Sequence, residues 1–319
     1  MKWVKLGKIF DPTEHQLSNG CLQFAQSPQV LVFNDFFRIY FSTRSVDTTN
    51  GKYLSHIAFV DIQKNFREVI RVSDHTVIPL GELGCFDEHG IFPMSVMRYG
   101  DKVYGYTCGW NRRVSVSVDT AIGLAISHDE GVTFQRIGSG PVLASSSNEP
   151  CLVGDGFVKV INNVFHMWYI FGTGWRKFEV NTFPDRTYKI GHAISSNGIE
   201  WIKEEARCII SDRIGPNESQ ALPTVIEIDK RYHMFFCYRE SFDFRKVKGR
   251  GYRIGHAWSD DLLNWVRDDD NPQMEGTPGE WDSDMQCYPH VFECGGKIYL
   301  LYNGNEFGRY GFGLAELVL

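Results

Sequence analysis

Three acidic residues in this 319-residue chain precede apolar runs of strand character: Asp87 in Phe86-Asp-Glu-His89, Glu149 in Asn148-Glu-Pro150, and Glu218 in Glu-Ser-Gln220. Two carboxyls flanking an acetal carbon can act as general acid and as base or nucleophile, which is the chemistry of glycosidic cleavage. On this reading Asp87, Glu149 and Glu218 are the candidates for those roles. Gln26, Arg44, His89, Trp110, Trp175, Arg239, Asp284 and Asn303 form a second, substrate-binding set. Indole faces stack on sugar C–H surfaces, amides and carboxylates bond hydroxyls, and guanidinium forks hold anions. Arg44 and Arg239 end apolar strands at equivalent places. They suit an anionic group such as a uronate, phosphate or nucleotide, or equally salt bridges between sheets. Asp11, with Glu14 and His15, could supply a further carboxylate. His89 and His290 are the residues a metal could use, but lone histidines are more often satisfied polar groups. No metal or cofactor is assigned.

These residues are spread over the chain, so the fold must gather them. The phrase Gly123-Leu-Ala-Ile-Ser-His-Asp-Glu-Gly-Val-Thr-Phe134 returns at Gly191–Trp201 and at Gly255–Trp265. A degenerate copy spans His56–Phe66, and a truncated one spans Gly311–Leu317. A hairpin precedes each copy, with Asn, Asp or Gly at its turn, as at Asn162-Asn163 and Gly295-Gly296. Pro28, Pro93, Pro150, Pro223 and Pro289 are read as preceding the first strand of each unit. Four strands repeated five times predict an all-β fold, a five-bladed β-propeller forming one domain over residues 1–319. The last blade lacks a fourth strand, and Lys2-Trp3-Val4-Lys5 matches Glu200-Trp201-Ile202-Lys203. The N-terminal strand is therefore expected to close the ring. The loops before first strands and after second strands then share one face and converge on an axial pocket. Ser127–Phe134 resembles an Asp box, a turn-holding motif, so Asp129 and Asp260 are not taken as catalytic. The basic run Lys246–Arg253 is placed on the pocket rim, as a solvated loop or a lid for anions.

Net charge is −6, with 43% hydrophobic and 23% charged residues. That balance argues against general nucleic-acid binding. No stretch approaches the roughly 18 apolar residues of a membrane span. Residues 1–16 lack the apolar core of a secretory signal. None of the eight cysteines forms a Cys-x-x-Cys pair. The expectation is a cytoplasmic protein with reduced thiols.

With these motifs in place, the chain resembles the five-bladed propeller glycoside hydrolases, of the arabinanase, xylosidase and invertase type, with families 43, 32 and 130 as relatives. Glu149-Pro150 resembles their acidic-Pro motif, and Glu218 their general acid, which implies Glu218 as the acid and Asp87 or Glu149 as the base or charge modulator. Asp284–Val291, Leu301–Gly308 and Asp87–Pro93 look like propellers of bacterial surface-polysaccharide gene clusters. The resemblance implies an enzyme cleaving a glycosidic bond in a carbohydrate or sugar conjugate. A phosphorylase, an enzyme acting on an activated sugar, and a non-catalytic glycan-binding propeller are the alternatives. Family 43 enzymes usually place an Asp just before the first-blade proline, where this chain has Gln26 and Ser27.

Overall fold

The computed structural model describes residues 1–178 and 183–318. Strand β1 (Lys2–Phe10) opens the chain. A first group follows: β2 (Gln23–Val32), β3 (Phe36–Val46), β4 (Tyr53–Gln63) and β5 (Val69–Val72). The second is β6 (Gly90–Tyr99), β7 (Lys102–Arg112), β8 (Val118–Ser127) and β9 (Gln135–Arg136). The third is β10 (Cys151–Ile161), β11 (Val164–Arg176), β12 (Asp185–Ser195) and β13 (Ile202–Lys203). The fourth is β14 (Glu218–Ile228), β15 (Arg231–Glu240), β16 (Arg253–Ser259) and β17 (Val266–Arg267). The last is β18 (Cys287–Cys294), β19 (Lys297–Asn303) and β20 (Phe312–Val318), completed by β1. Within each group the pairing is antiparallel, and the first two groups meet at a single parallel bridge, Ser55 to Gly90.

β1 pairs β20 with Trp3 opposite Leu317, so the N-terminal strand becomes the outer strand of the C-terminal sheet. The innermost strands touch in a closed cycle: β2 to β6, β6 to β10, β10 to β14, β14 to β18, and β18 back to β2. Aromatic residues beside the outer strands repeat that cycle. Phe134 packs edge-on to Tyr40 of the first group, at 5.8 Å between ring centroids. Trp201 meets Tyr106 at 5.9 Å, Trp265 meets Trp168 at 6.3 Å, Trp3 meets Phe235 at 5.2 Å, and Phe66 meets Tyr299 at 5.0 Å. Each ring thus seals the seam to the preceding sheet. Buried aromatics supply both area and edge-to-face geometry there.

The motif Ser-x-Asp or Ser-x-Asn holds the turn beneath each of three such rings. Asp129 accepts from the Val132 and Thr133 amides and from the Thr133 hydroxyl, and these bonds hold its carboxyl below the usual range although burial pushes the other way. Asn197 and Asp261 play the same part. The fourth-group turn uses Asp261 and not Asp260, which instead pairs with Arg231.

The prolines do not stand ahead of the strands. Every innermost strand carries a bulge, two residues against one on its partner: Ser27-Pro28, Phe92-Pro93, Asp155-Gly156, Leu222-Pro223 and Tyr288-Pro289. Pro28, Pro93, Pro223 and Pro289 sit inside β2, β6, β14 and β18, where the bulge frees them from ladder bonding. Pro150 precedes β10 and is not their equivalent. That place belongs to Gly156, where a Cβ would come within 2.9 Å of the Ile122 Cδ1 methyl. Ser27, Asp155, Leu222 and Tyr288 hold φ between 49° and 58°, a region that non-glycine residues occupy at a cost.

Candidate active site

An axial cavity of about 270 Å³ is lined by all five strand groups. Arg44, Tyr53 and Ser55 come from the first group, and Phe92, Cys108, Trp110 and Thr120 from the second. The third contributes Leu152, Asp155, Arg186 and Tyr188, the fourth Arg239, Phe244, Arg245 and Tyr252, and the last Tyr288 and Phe307. The bulge explains why Phe92, Asp155 and Tyr288 reach this space, since the extra residue re-aims a side chain towards the axis.

Asp155 is the one carboxylate among the described lining residues. Burial pushes its carboxyl up to about 7, while the Leu222 amide and the Arg186 charge pull the other way. It forms no ion pair with a described residue. A carboxylic acid tuned near neutrality suits proton donation to a leaving oxygen.

Four arginines share the cavity, and none makes an ion pair among the described residues. Aromatic faces hold them instead. Arg239 lies 3.5 Å from the Phe244 centroid and donates to the Tyr188 hydroxyl at 2.8 Å. Tyr188 and Tyr252 share a short hydroxyl contact. Arg245 stands 4.3 Å over Phe244, Arg186 5.4 Å over Trp175, and Arg44 4.6 Å over Phe24. The Nε atoms of Arg44 and Arg239 are buried and without a protein partner. Desolvation of its guanidinium and the neighbouring Arg239 and Arg186 charges hold Arg245 below its ordinary range, although the residue as a whole is exposed. Arg44 and Arg186 are half-buried, and Arg239 is buried. A buried cation without a counter-ion is costly, and an anionic ligand would relieve Arg239.

The sequence-derived residues divide sharply. Arg44, Trp110 and Arg239 line the cavity. Asp87, Glu149 and Glu218 do not, and they do not come together. Each is fully buried and latches its own sheet, joining the start of the innermost strand to the outermost strand. Asp87 accepts from Arg136 Nε at 2.8 Å, Glu149 from Lys203 Nζ at 2.8 Å, and Glu218 from Arg267 Nη1 at 2.6 Å. Asp282 makes the fourth latch, to Lys5 Nζ at 2.6 Å. The cation occupies one place in the repeat, two residues after the seam aromatic: Phe134-Gln-Arg136, Trp201-Ile-Lys203, Trp265-Val-Arg267 and Trp3-Val-Lys5. Glu149 also accepts from the Tyr169 hydroxyl and the Ala206 amide, and Glu218 from the Arg213 and Ile214 amides.

The remaining members are placed as follows. Asn303 is fully buried, accepts from the Ser27 amide at 2.7 Å, and donates to the Ala25 and Gly311 carbonyls at 2.8 and 2.7 Å. Its amide is spent joining the last sheet to the first. Asn303→Ala is therefore expected to cost roughly 2–4 kcal/mol by stranding those buried groups. A denaturation midpoint within error of the parent would contradict that role. Gln26 donates to the Phe307 carbonyl at 2.6 Å. His89 stacks on Trp110 and pairs with Glu88 at 3.1 Å, behind the cavity wall. His290 is buried beside Phe157 and Phe292, where burial drives its imidazole down to about 3. Trp175 backs Arg186 from the rim. Asp284 faces a separate cavity of about 400 Å³ and pairs with Lys248 at 3.4 Å. Asp11 bonds Lys8 and Thr13 outside the axial cavity. The Lys246–Arg253 run turns mostly outward. Arg245, one residue before it, and Tyr252, within it, reach the axis.

The reading from sequence missed Asp155, Arg186, Tyr188, Arg245, Tyr252 and Tyr288. A signal for Asp155 exists. Positions 28, 93, 156, 223 and 289 recur every 65, 63, 67 and 66 residues, and Asp155 precedes the third.

No protein-family model matches the chain. Two proteins of Mycobacterium tuberculosis, the uncharacterized proteins MT1551 of strain CDC 1551 and Rv1502 of strain H37Rv, are each 33% identical to it over 322 residues, covering 99% of both sequences. A β-1,2-mannobiose phosphorylase of Thermoanaerobacter sp. is 33% identical over 113 residues, 32% of this chain and 33% of that protein. Among solved structures, a glycoside hydrolase superposes with a TM-score of 0.74 at 15% identity, covering 98% of this chain and 90% of its own. A thermostable family-43 glycoside hydrolase gives 0.66 at 14% identity, covering 95% and 93%. The family-32 β-fructofuranosidase of Bombyx mori gives 0.62 at 14% identity, covering 92% and 62%.

Proposed function

For a chain that belongs to the family of mycobacterial Rv1502 and has the propeller fold of family-43 and family-32 glycoside hydrolases, we propose that the five strand groups are the blades of one ring, whose axial cavity cleaves a glycosidic bond with phosphate as the attacking group. One observation carries this reading: a single carboxyl poised near neutrality faces four arginines that lack carboxylate partners among the described residues. Hydrolysis ordinarily enlists a second carboxyl, to activate water or to attack the sugar itself. Phosphate arrives as an anion and needs cations to hold it, not a base.

Protonated Asp155 gives its proton to the glycosidic oxygen as the bond to the anomeric carbon breaks. A phosphate oxygen, held by Arg186, Arg239 and Arg245, bonds that carbon. The products are a sugar phosphate and a free alcohol, and the Asp155 carboxylate regains its proton from solvent. Guanidinium forks suit this task because they bond phosphate bidentately and stay charged when buried. The partial match to a phosphorylase supports the same reading. Asp87, Glu149 and Glu218 are latches here and take no part in the chemistry. The eight free cysteines suit a reducing compartment, in keeping with a cytoplasmic enzyme. Among the described residues no helix is long and apolar enough to cross a membrane.

Hydrolysis is the second reading, supported by the hydrolase folds among the structural relatives. A screen in the synthetic direction separates the two. The enzyme is mixed with sugar 1-phosphates and acceptor sugars, and liberated phosphate is measured. Release that requires an acceptor is expected. Glycoside turnover that ignores phosphate from zero to saturating concentration would instead establish hydrolysis.

A further inference from the structure

Phosphate does not account for all the charge in the cavity. Arg44, Arg186, Arg239 and Arg245 bring four positive charges, and burial raises the Asp155 carboxyl to about 7, so it offsets at most one of them. A phosphate dianion answers two of the four. The arginines also fall into two places. Arg186 and Arg239 share the Tyr188 ring, at 6.0 and 5.4 Å, and Arg239 and Arg245 share the Phe244 ring, at 3.5 and 4.3 Å. Arg44 lies on a different pair of rings, Phe24 and Tyr53, at 4.6 and 5.6 Å, within reach of the Arg245 charge and with its buried Nε unpartnered. Burial disfavours its charge, and the described residues offer it no ion pair.

We infer that Arg44 receives a carboxylate carried by the sugar, so that the substrate is a uronic-acid glycoside. A planar guanidinium presents two parallel N–H donors that match a carboxylate, and the aromatic faces beneath it fix its orientation before the sugar arrives. This assignment rests on the axial cavity being the sugar site. It is separate from the identity of the attacking group.

Equilibrium titration tests it without turnover. The Asp155→Asn variant is titrated with D-glucuronate and D-galacturonate against D-glucose and D-galactose, each with and without inorganic phosphate. At least one uronate should bind at least tenfold more tightly than its neutral counterpart. Arg44→Gln should erase that preference, Arg44→Lys should keep part of it, and phosphate should not displace the uronate. Equal affinity for acidic and neutral sugars overturns the inference. So does a preference that survives Arg44→Gln, or direct competition between phosphate and uronate. Should phosphate fail to bind while the uronate preference stands, phosphorolysis falls and the Arg44 assignment remains.

Discussion

Asp155→Asn is expected to abolish turnover and at the same time raise stability in mild alkali. Loss of a general acid removes a factor on the order of 10²–10⁴ in rate. The stability effect follows from linkage. The folded-state carboxyl is raised to about 7, against 3.8 for an ordinary aspartate. The folded state therefore holds its proton where the unfolded chain has released it. The stability contributed by this group is complete below about pH 4 and drains away as pH rises towards 7. Asparagine carries no such penalty. The melting temperature of the variant should exceed that of the parent by a margin that widens from pH 4 to pH 7 and then levels off. At pH 8 the difference corresponds to roughly 2–4 kcal/mol. Parent activity should fall on the alkaline side of about pH 7, as the acid loses its proton. Thermal melts at pH 5 and 8, with rates on a common substrate, check both halves. A stable, inactive variant is the pattern of a functional group held at a cost in stability.

The opposite pattern is expected at the latches. Glu149→Gln leaves the Lys203 ammonium, which is only 9% exposed, without its carboxylate partner. Breaking one side of a buried pair costs about 3–5 kcal/mol. Substituting both partners, Glu149→Gln with Lys203→Met, should recover at least half of the loss, because no buried charge is then stranded. The protein that remains folded should turn over within a fewfold of the parent rate, and Glu218→Gln should behave likewise. Chemical denaturation of the two single variants and the double variant measures the coupling. A Glu149 or Glu218 variant with parental stability and no activity would return these residues to the chemistry.

The contrast shows how far the chain could be read. The repeated phrases gave the strands, the turns and the seam aromatics, because each is local and recurs with the sheet. Trp3-Val-Lys5 revealed the closing strand, since it copies Trp201-Ile-Lys203 and Trp265-Val-Arg267. The acids were chosen by their place ahead of the innermost strands. Residues ahead of the innermost strands do sit on the face where the cavity opens, but a basic residue on the outer strand captures each of them. The partners Arg136, Lys203 and Arg267 lie about fifty residues further on, and only the folded sheet brings them within bonding distance. Asp155 was hidden for another reason. Glycine stands where the other strands have proline, and Pro150 five residues before Asp155 imitated the missing landmark. Tyr188 and Tyr252 occupy one place in the repeat, in Tyr188-Lys-Ile-Gly-His-Ala193 and Tyr252-Arg-Ile-Gly-His-Ala257, so the periodicity could have marked both. Arg245 lies between β15 and β16, outside the repeated phrases.

The most direct test of the account is a crystal structure of the Asp155→Asn variant with a bound glycoside and phosphate. The account predicts the side chain at position 155 within hydrogen-bonding distance of the glycosidic oxygen, and phosphate on Arg186, Arg239 and Arg245 facing the anomeric carbon. A sugar whose anomeric carbon lies instead against Asp87, Glu149 or Glu218, with Arg136, Lys203 or Arg267 swung away, would contradict it.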